Sequence, residues 1–303
     1  MTGARWIDLL DPSRDELERA IPQTLHARAL NQLLAPFSPG TEPRPTLEAH
    51  DDYVFGVFLV AVMVPTEDRV YYQEVDVVLT HELVVTVRKT PPDGPPFDAA
   101  PLREAEAIGP LAAGMFLYEL VDEVAERYFA LVDALDNEID ELEESVESMR
   151  AEIVRDRVSR LRHDLLHVRR TLTPTRDAIR RILDGRIESG KKRYFPREIE
   201  LHFADAHDKL LRATEGLDLV RELLAGVRDY HQAKVASDQN EVMKRLTAIA
   251  SILFVPTFIV GLYGQNFRHI PELNWGFGYW WAWGWILLTT VGQIIFFRRK
   301  RWL

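Results

Sequence analysis

One stretch of this 303-residue chain carries the residue types needed to pass an ion, at helical spacing. Thr247, Ala250, Phe254, Thr257, Gly261 and Gly264 recur every three or four residues, so a helix puts them on one face. Five of these six are small or hydroxylated. Such a face either packs helices closely in a membrane or lines a water path between several copies of the helix. It runs out at Tyr263-Gly264-Gln265-Asn266-Phe267, where two amide side chains and a glycine stand at its mouth. No Asp or Glu occurs from Val242 to Arg268, so an ion passing here meets only amide, hydroxyl and backbone oxygens. That donor set suits a cation that keeps its water. A hairpin of two helices encloses no water path, so a pore requires an oligomer.

The elements that must position this face are legible around it. Leu246–Tyr263 is an uncharged run of eighteen residues, about 27 Å as a helix, close to the hydrocarbon thickness of a bilayer. A second uncharged run, Trp275–Phe297, follows after Gly264–Asn274. Two such runs in succession read as a membrane hairpin rather than as two core helices. Trp275, Trp280, Trp281, Trp283 and Trp285 gather at the start of the second run, as an interfacial aromatic belt would. Lys244 and Arg245 precede the first run and Arg298, Arg299, Lys300 and Arg301 follow the second, against Arg268 alone between them. The positive-inside rule then puts both termini in the cytoplasm and the loop outside. The opening Met-Thr-Gly-Ala-Arg-Trp-Ile-Asp has no apolar core of a signal peptide. The expectation is a multi-pass protein of the inner or plasma membrane with a cytoplasmic head of about 240 residues.

Charge divides the same way. The chain has 37 Lys+Arg and 47 Asp+Glu, a net −10; from Glu241 onward there are seven and two, leaving 30 against 45, or −15, for residues 1–240. An acidic head argues against nucleic acid, which needs basic surface to release counterions. The absence of cysteine excludes disulfides and thiolate metal sites.

Within the head, residues 53–64, 70–79 and 83–88 are β-branched and aromatic runs that read as neighbouring strands, the first two separated by Pro-Thr-Glu-Asp. Helical patterns flank them, giving an α/β front end up to the proline-rich Thr90–Pro101. From Leu117 to Met149 apolar residues recur every three or four positions, the seam of one long helix. Eleven acids lie between Asp122 and Glu147, and nine arginines between Glu152 and Asp184, so two helices turning near Ser148–Ala151 are expected to pack antiparallel with charges opposed. After a turn at Gly185–Arg193, residues 196–262 predict one helix of roughly 100 Å, with Gly216 and Gly226 costing about 1 kcal/mol each. His163 and His167 stand four apart, but no third metal ligand follows from spacing and arginines surround them; they read as surface histidines. No nucleophile motif, phosphate loop or catalytic carboxylate pair is present, so no enzyme activity and no cofactor are expected.

Asn240-Glu241-Val242-Met243-Lys244, Phe258 through Phe267, Ile270-Pro271-Glu272-Leu273-Asn274-Trp275 and the closing Arg298-Arg299-Lys300-Arg301-Trp302-Leu303 together resemble the CorA family of divalent cation channels. The match is dense from Asn240 onward and thinner but consistent before it, including His202-Phe203-Ala204-Asp205-Ala206-His207-Asp208. The resemblance implies a homopentameric funnel: an α/β cytoplasmic domain, a long stalk helix lining the pore, and a two-helix transmembrane hairpin. It implies Mg²⁺ influx, with Co²⁺ or Ni²⁺, as hydrated ion. Gly264, Gln265 and Asn266 fall on the selectivity filter, where Gln265 replaces the family's methionine. Pore constrictions fall on Asn240, Leu246, Phe254 and Thr257, with Ala250 and Gly261 on the same lining; Phe254 stands where methionine is common. Gating by Mg²⁺ between subunits is implied, with Asp205 as one regulatory acid and Asp93 or Asp98 as its partner. The Gln265 replacement leaves a ZntB-like Zn²⁺ transporter open as an alternative, and a non-conducting membrane-anchored metal sensor or scaffold is a third reading.

The organisation expected is therefore 1–111, the N-terminal α/β part; 112–195, a long helical hairpin; 196–263, the stalk continuing into the first span; 264–274, an external loop; 275–297, the second span; and 298–303, a basic tail.

Overall fold

A computed structural model describes residues 3–21, 25–64, 69–187, 194–266, 268 and 270–303. The segments 65–68 and 190–193 and Phe267 lie outside the described residues. The chain divides into two units, 1–228 and 229–303.

In the first unit, β1 (Arg5–Leu10), α1 (Arg14–Ala20), α2 (Ala27–Leu34), β2 (Thr46–Ala49), β3 (Val54–Val64), β4 (Arg69–Leu79) and β5 (Leu83–Lys89) precede α3 (Ala100–Ile108), α4 (Ala113–Ser145) and α5 (Ala151–Leu183). The sheet runs in the order β1-β5-β4-β3-β2, with β1 parallel to β5 and the other neighbours antiparallel. The three strands expected from sequence are its centre. The edge strands β1 and β2 carry weaker patterns, because Trp6-Ile-Asp-Leu and Thr46-Leu-Glu-Ala each offer few β-branched residues.

Both faces of the sheet are covered, which is why β3 reads as an almost unbroken apolar run rather than an alternating one. Phe58, Val60, Val75 and Val77 join one core with Leu117, Leu120, Val124 and Tyr128 of α4. Phe55, Val57, Val85 and Val87 join a second with Leu17 and Leu33 of the two short helices. The Tyr128 hydroxyl, fully buried, donates to the Leu59 carbonyl at 2.8 Å and fastens α4 to β3.

The helical hairpin turns where its sequence predicts, between Ser145 and Ala151. Its charge pairing is narrower than expected. Arg157 pairs with Glu138 across α4 and α5 at 3.3 Å. The seam is filled by Leu135, Leu142, Val154, Leu161 and Leu165, which leaves most charges on the outer faces; a few find partners on their own helix, as Arg127 does with Glu123. α6 (Arg197–Tyr263) is one helix of 67 residues. Gly216 has a packing reason: a Cβ there would lie 2.9 Å from Val132 Cγ1 of α4.

The second unit holds the end of α6, a 3-10 turn at Pro271–Asn274 and α7 (Gly278–Arg299). The second helix thus starts three residues later than the uncharged run, since Trp275–Phe277 cap and precede it. α6 and α7 are each long and apolar enough to cross a membrane, and almost all of their apolar windows is uncovered. For Leu246–Tyr263 to be exposed to water would cost the burial of a whole core, so a lipid environment is what these surfaces require.

Candidate functional site

The residues chosen from spacing are among those that the helix hairpin leaves exposed. α6 turns its Ala248, Ser251, Ile252, Val255 and Ile259 side inward, these being buried or half-buried. Across it, the Gln293 amide of α7 donates Nε2 to the Ser251 carbonyl at 3.2 Å. At about 100° per residue, Leu246, Ala250, Phe254, Thr257 and Gly261 fall on the opposite side, and all five are exposed. Leu246 is 58% and Phe254 68% accessible. Asn240 lies toward the edge of that face and is exposed. The residues expected to line a pore thus comprise two apolar side chains, three small or hydroxylated residues, and an amide at one end.

The hydroxyls on this face have their protons occupied. Thr257 Oγ1 donates to the Leu253 carbonyl and Thr247 Oγ1 to the Met243 carbonyl, each at 2.8 Å. What remains to each oxygen is acceptor capacity, the role required toward the waters around a cation.

At the mouth, the Gly264 N–H closes the last turn on the Val260 carbonyl at 2.9 Å, and the Gln265 N–H reaches Leu262 at 3.4 Å. A Cβ on Gly264 would stand 3.1 Å from that Val260 oxygen, so glycine permits this tight ending. Gln265 and Asn266 follow directly, outside the helix and exposed. The residues expected to form a filter thus stand where the chain leaves the helix.

The acids expected to be regulatory do not come together within the chain. Asp205, on α6, is 61% accessible and lies 3.9 Å from Lys209 Nζ, one turn away. The same ammonium holds Asp122 and Glu126 of α4 at 2.7 Å each. Burial opposes the charge on Lys209, and the hydrogen bonds it donates to Asp122 and Glu126 overcome that, so its pKa is raised. Sequence reasoning missed this lysine. The Asp122/Glu126 and Asp205/Lys209 spacings of four were visible, but which helix faces met was not. Asp98 accepts from the Ala100 N–H at 2.9 Å at the start of α3, and Asp93 is exposed in the preceding loop. No group of three or more His, Asp or Glu that could hold a metal occurs among the described residues, so neither acid joins Asp205 in a cluster within one chain. His163 and His167 have rings 4.8 Å apart; desolvation and the neighbouring His163 lower the His167 pKa, which disfavours a charged ring.

A further ionic group was invisible in the sequence. Lys89 of β5 pairs with Glu74 and, at 3.0 Å, with Asp76 of β4, all three almost wholly buried beneath α2. Desolvation raises the Asp76 pKa against the pull of Lys89.

Comparison with known proteins adds identity to this geometry. The family profile described as CorA-like Mg²⁺ transporter protein matches residues 2–299. A cobalt/magnesium transport protein CorA of Thermotoga maritima is 28% identical over 98% of this chain and 83% of its own length. The putative metal ion transporter YfjQ of Bacillus subtilis is 31% identical over 86% of this chain and 78% of its own. Among solved structures, the CorA magnesium transporter of Methanocaldococcus jannaschii superposes with a TM-score of 0.79 at 21% identity, covering 98% of this chain and 91% of that one.

Proposed function

The chain belongs to the CorA-like Mg²⁺ transporter family, a family of membrane transporters rather than enzymes, and on that premise we propose that it forms a homopentameric channel for divalent cation influx. In this reading the exposed face of α6 from Asn240 to Gly261 lines the pore, and Asn266, with Gln265 and Gly264, forms the filter at its outer end. Both termini are cytoplasmic, and residues 264–274 face outside. The observation that supports it most is the coincidence of two independent features: the small and hydroxylated face, and the side of α6 turned away from α7.

Five Asn266 carbonyls in a ring accept hydrogen bonds from the waters of a Mg²⁺ ion, so the ion crosses without giving up its shell. Five Gln265 amides stand beside that ring and set which hydrated ion fits. Leu246 and Phe254 supply apolar constrictions that close by dewetting. Control by internal Mg²⁺ acts between subunits, where Asp205 of one copy meets Asp93 or Asp98 of the next. A head of −15 repeated around a ring repels itself until divalent ions bridge it, and ion depletion lets the ring open.

The experiment is uptake by purified protein in liposomes, comparing Mg²⁺, Co²⁺, Ni²⁺ and Zn²⁺ with and without a pH gradient. Mg²⁺ flux that is indifferent to the gradient and abolished in Asn266→Ala supports the channel. Zn²⁺ flux that follows the gradient supports the transporter reading to which the Gln265 replacement points. Absence of flux for all four ions leaves the anchored sensor.

A further inference from the structure

A cavity of about 600 Å³ opens in the first unit between α2, the chain entering β2, and α5. Three arginines from three elements converge on it: Arg28 of α2, Arg44 ahead of β2, and Arg181 of α5. Arg181 spends one Nη1 donor on the Leu47 carbonyl at 3.0 Å, which fixes its plane and leaves the rest of its fork for the cavity. Among the described residues the guanidinium groups of Arg28 and Arg44 make no hydrogen bond or ion pair. Two acids also line the space. Asp177 is already held by Arg176 at 2.9 Å, and Glu48 accepts from Thr46 Oγ1 at 3.5 Å.

The walls are built rather than incidental. Gln32, which lines the cavity, donates Nε2 to Glu74 at 3.0 Å, and its carbonyl accepts from Lys89 at 2.7 Å. The buried Lys89–Glu74 pair therefore pins α2, and with it Arg28. The cavity also offers flat surfaces. The His26 and His50 rings are parallel within 7° with centroids 6.5 Å apart, and Phe55 lies buried beside them.

We propose that this cavity binds a nucleoside polyphosphate, its phosphates on Arg28, Arg44 and Arg181 and its base against the imidazole faces. Planar guanidinium forks match phosphate oxygens two at a time. The volume is that of a site for a molecule of drug size, larger than a phosphate ion requires. Aromatic faces favour a stacked ring over an aliphatic chain. Chelation by Mg²⁺ removes two charges from a triphosphate, so the arginines hold the free nucleotide more tightly than its Mg²⁺ complex. A protein that handles Mg²⁺ thereby gains a site reporting how much nucleotide is unchelated. The binding claim stands on the cavity alone and does not depend on the transport reading.

Calorimetric titration of the full-length protein in lipid nanodiscs with ATP, inorganic tripolyphosphate and adenosine tests it. Expected is saturable ATP binding, weaker binding of tripolyphosphate and of adenosine, and further weakening when Mg²⁺ is added. Arg28→Gln with Arg44→Gln, both exposed positions, should lower ATP affinity by about tenfold or more, the loss of two charge-assisted contacts. Arg155→Gln, on α5 but outside the cavity, should leave it unchanged. No saturable ATP binding, equal binding by the double variant, tripolyphosphate binding as tight as ATP, or binding strengthened by Mg²⁺ would each overturn the proposal.

Discussion

Replacing Lys209 by Met tests the electrostatic account of regulation at the point where the structure makes it most specific. The substitution keeps an unbranched apolar stem of similar length, so packing changes little, while the one cation among Asp122, Glu126 and Asp205 disappears. The three contacts are unequal. Asp122, at 2.7 Å and 24% accessible, makes a charge-assisted hydrogen bond in a partly desolvated place, worth about 1.5–2 kcal/mol. Glu126, at the same distance but 55% accessible, adds roughly 0.5 kcal/mol after screening by solvent. Asp205, at 3.9 Å and 61% accessible, adds almost nothing to stability. The loss is then about 2 kcal/mol, or about 4–8 °C in the melting of a unit of this size. Because the folded-state pKa of Lys209 is raised, its contribution is complete below the pKa of a free lysine and is lost only as pH climbs through the folded value; the deficit should be constant across neutral pH. The three carboxylates left behind gain affinity for a divalent ion. An ion at a hundred times its Kd stabilises by about 2.7 kcal/mol, so saturating Mg²⁺ should restore the variant's melting temperature while raising the wild type's much less. Inhibition of flux by internal Mg²⁺ should shift to lower concentration in the variant. Thermal unfolding with and without Mg²⁺ and liposome uptake read both effects. A melting shift below about 1 °C, or the same response to Mg²⁺ in both proteins, would show that Lys209 does not stand in for a divalent ion beside Asp205.

Other positions give independent tests. Phe254→Ala removes the bulkiest side chain of the exposed α6 face, 68% accessible, and should raise Mg²⁺ flux measured under high internal Mg²⁺, the condition in which the proposed gating closes the wild type; unchanged flux removes Phe254 from the proposed gate. Asp164 has a pKa raised to about 6, chiefly by burial, with His163 lowering it and Glu138 raising it. Its neutral form therefore favours folding, a contribution present at low pH and lost as pH rises through about 6. Asp164→Asn should accordingly stabilise by about 1 kcal/mol above that pH, after discounting for its partial exposure, and have no effect in acid. Tyr128→Phe deletes the buried hydrogen bond to the Leu59 carbonyl and should cost about 1–2 kcal/mol in denaturant unfolding.

What was legible in the sequence depended on whether the signal was periodic or pairwise. The seam from Leu117, the uncharged run from Leu246 to Tyr263 and the central strands repeat with a period of their own, and each appears where that period predicts, except that α4 ends at Ser145 and leaves Val146 and Met149 in the turn. The small-residue face of α6 could be drawn for the same reason, since residues at a spacing of three and four define a direction on a helix whatever surrounds it. Lys209 and Lys89 carry no periodicity. Each acquires its role from acids on another element: Lys209 from Asp122 and Glu126 of α4, Lys89 from Glu74 and Asp76 of β4. Composition even misdirected the reading of charge. Eleven acids on α4 facing nine arginines on α5 invited a picture of two neutralising surfaces. The helices instead meet along leucine and valine, because removing apolar area from water outweighs exposed ion pairs worth a fraction of a kcal/mol each. Most acids of α4 are consequently left on the outside, and Asp122 and Glu126 are met from α6 instead. The negative surface that the sequence attributed to the head is therefore available to external cations for a packing reason: the hairpin spends its hydrophobic stripe on itself and turns its carboxylates outward.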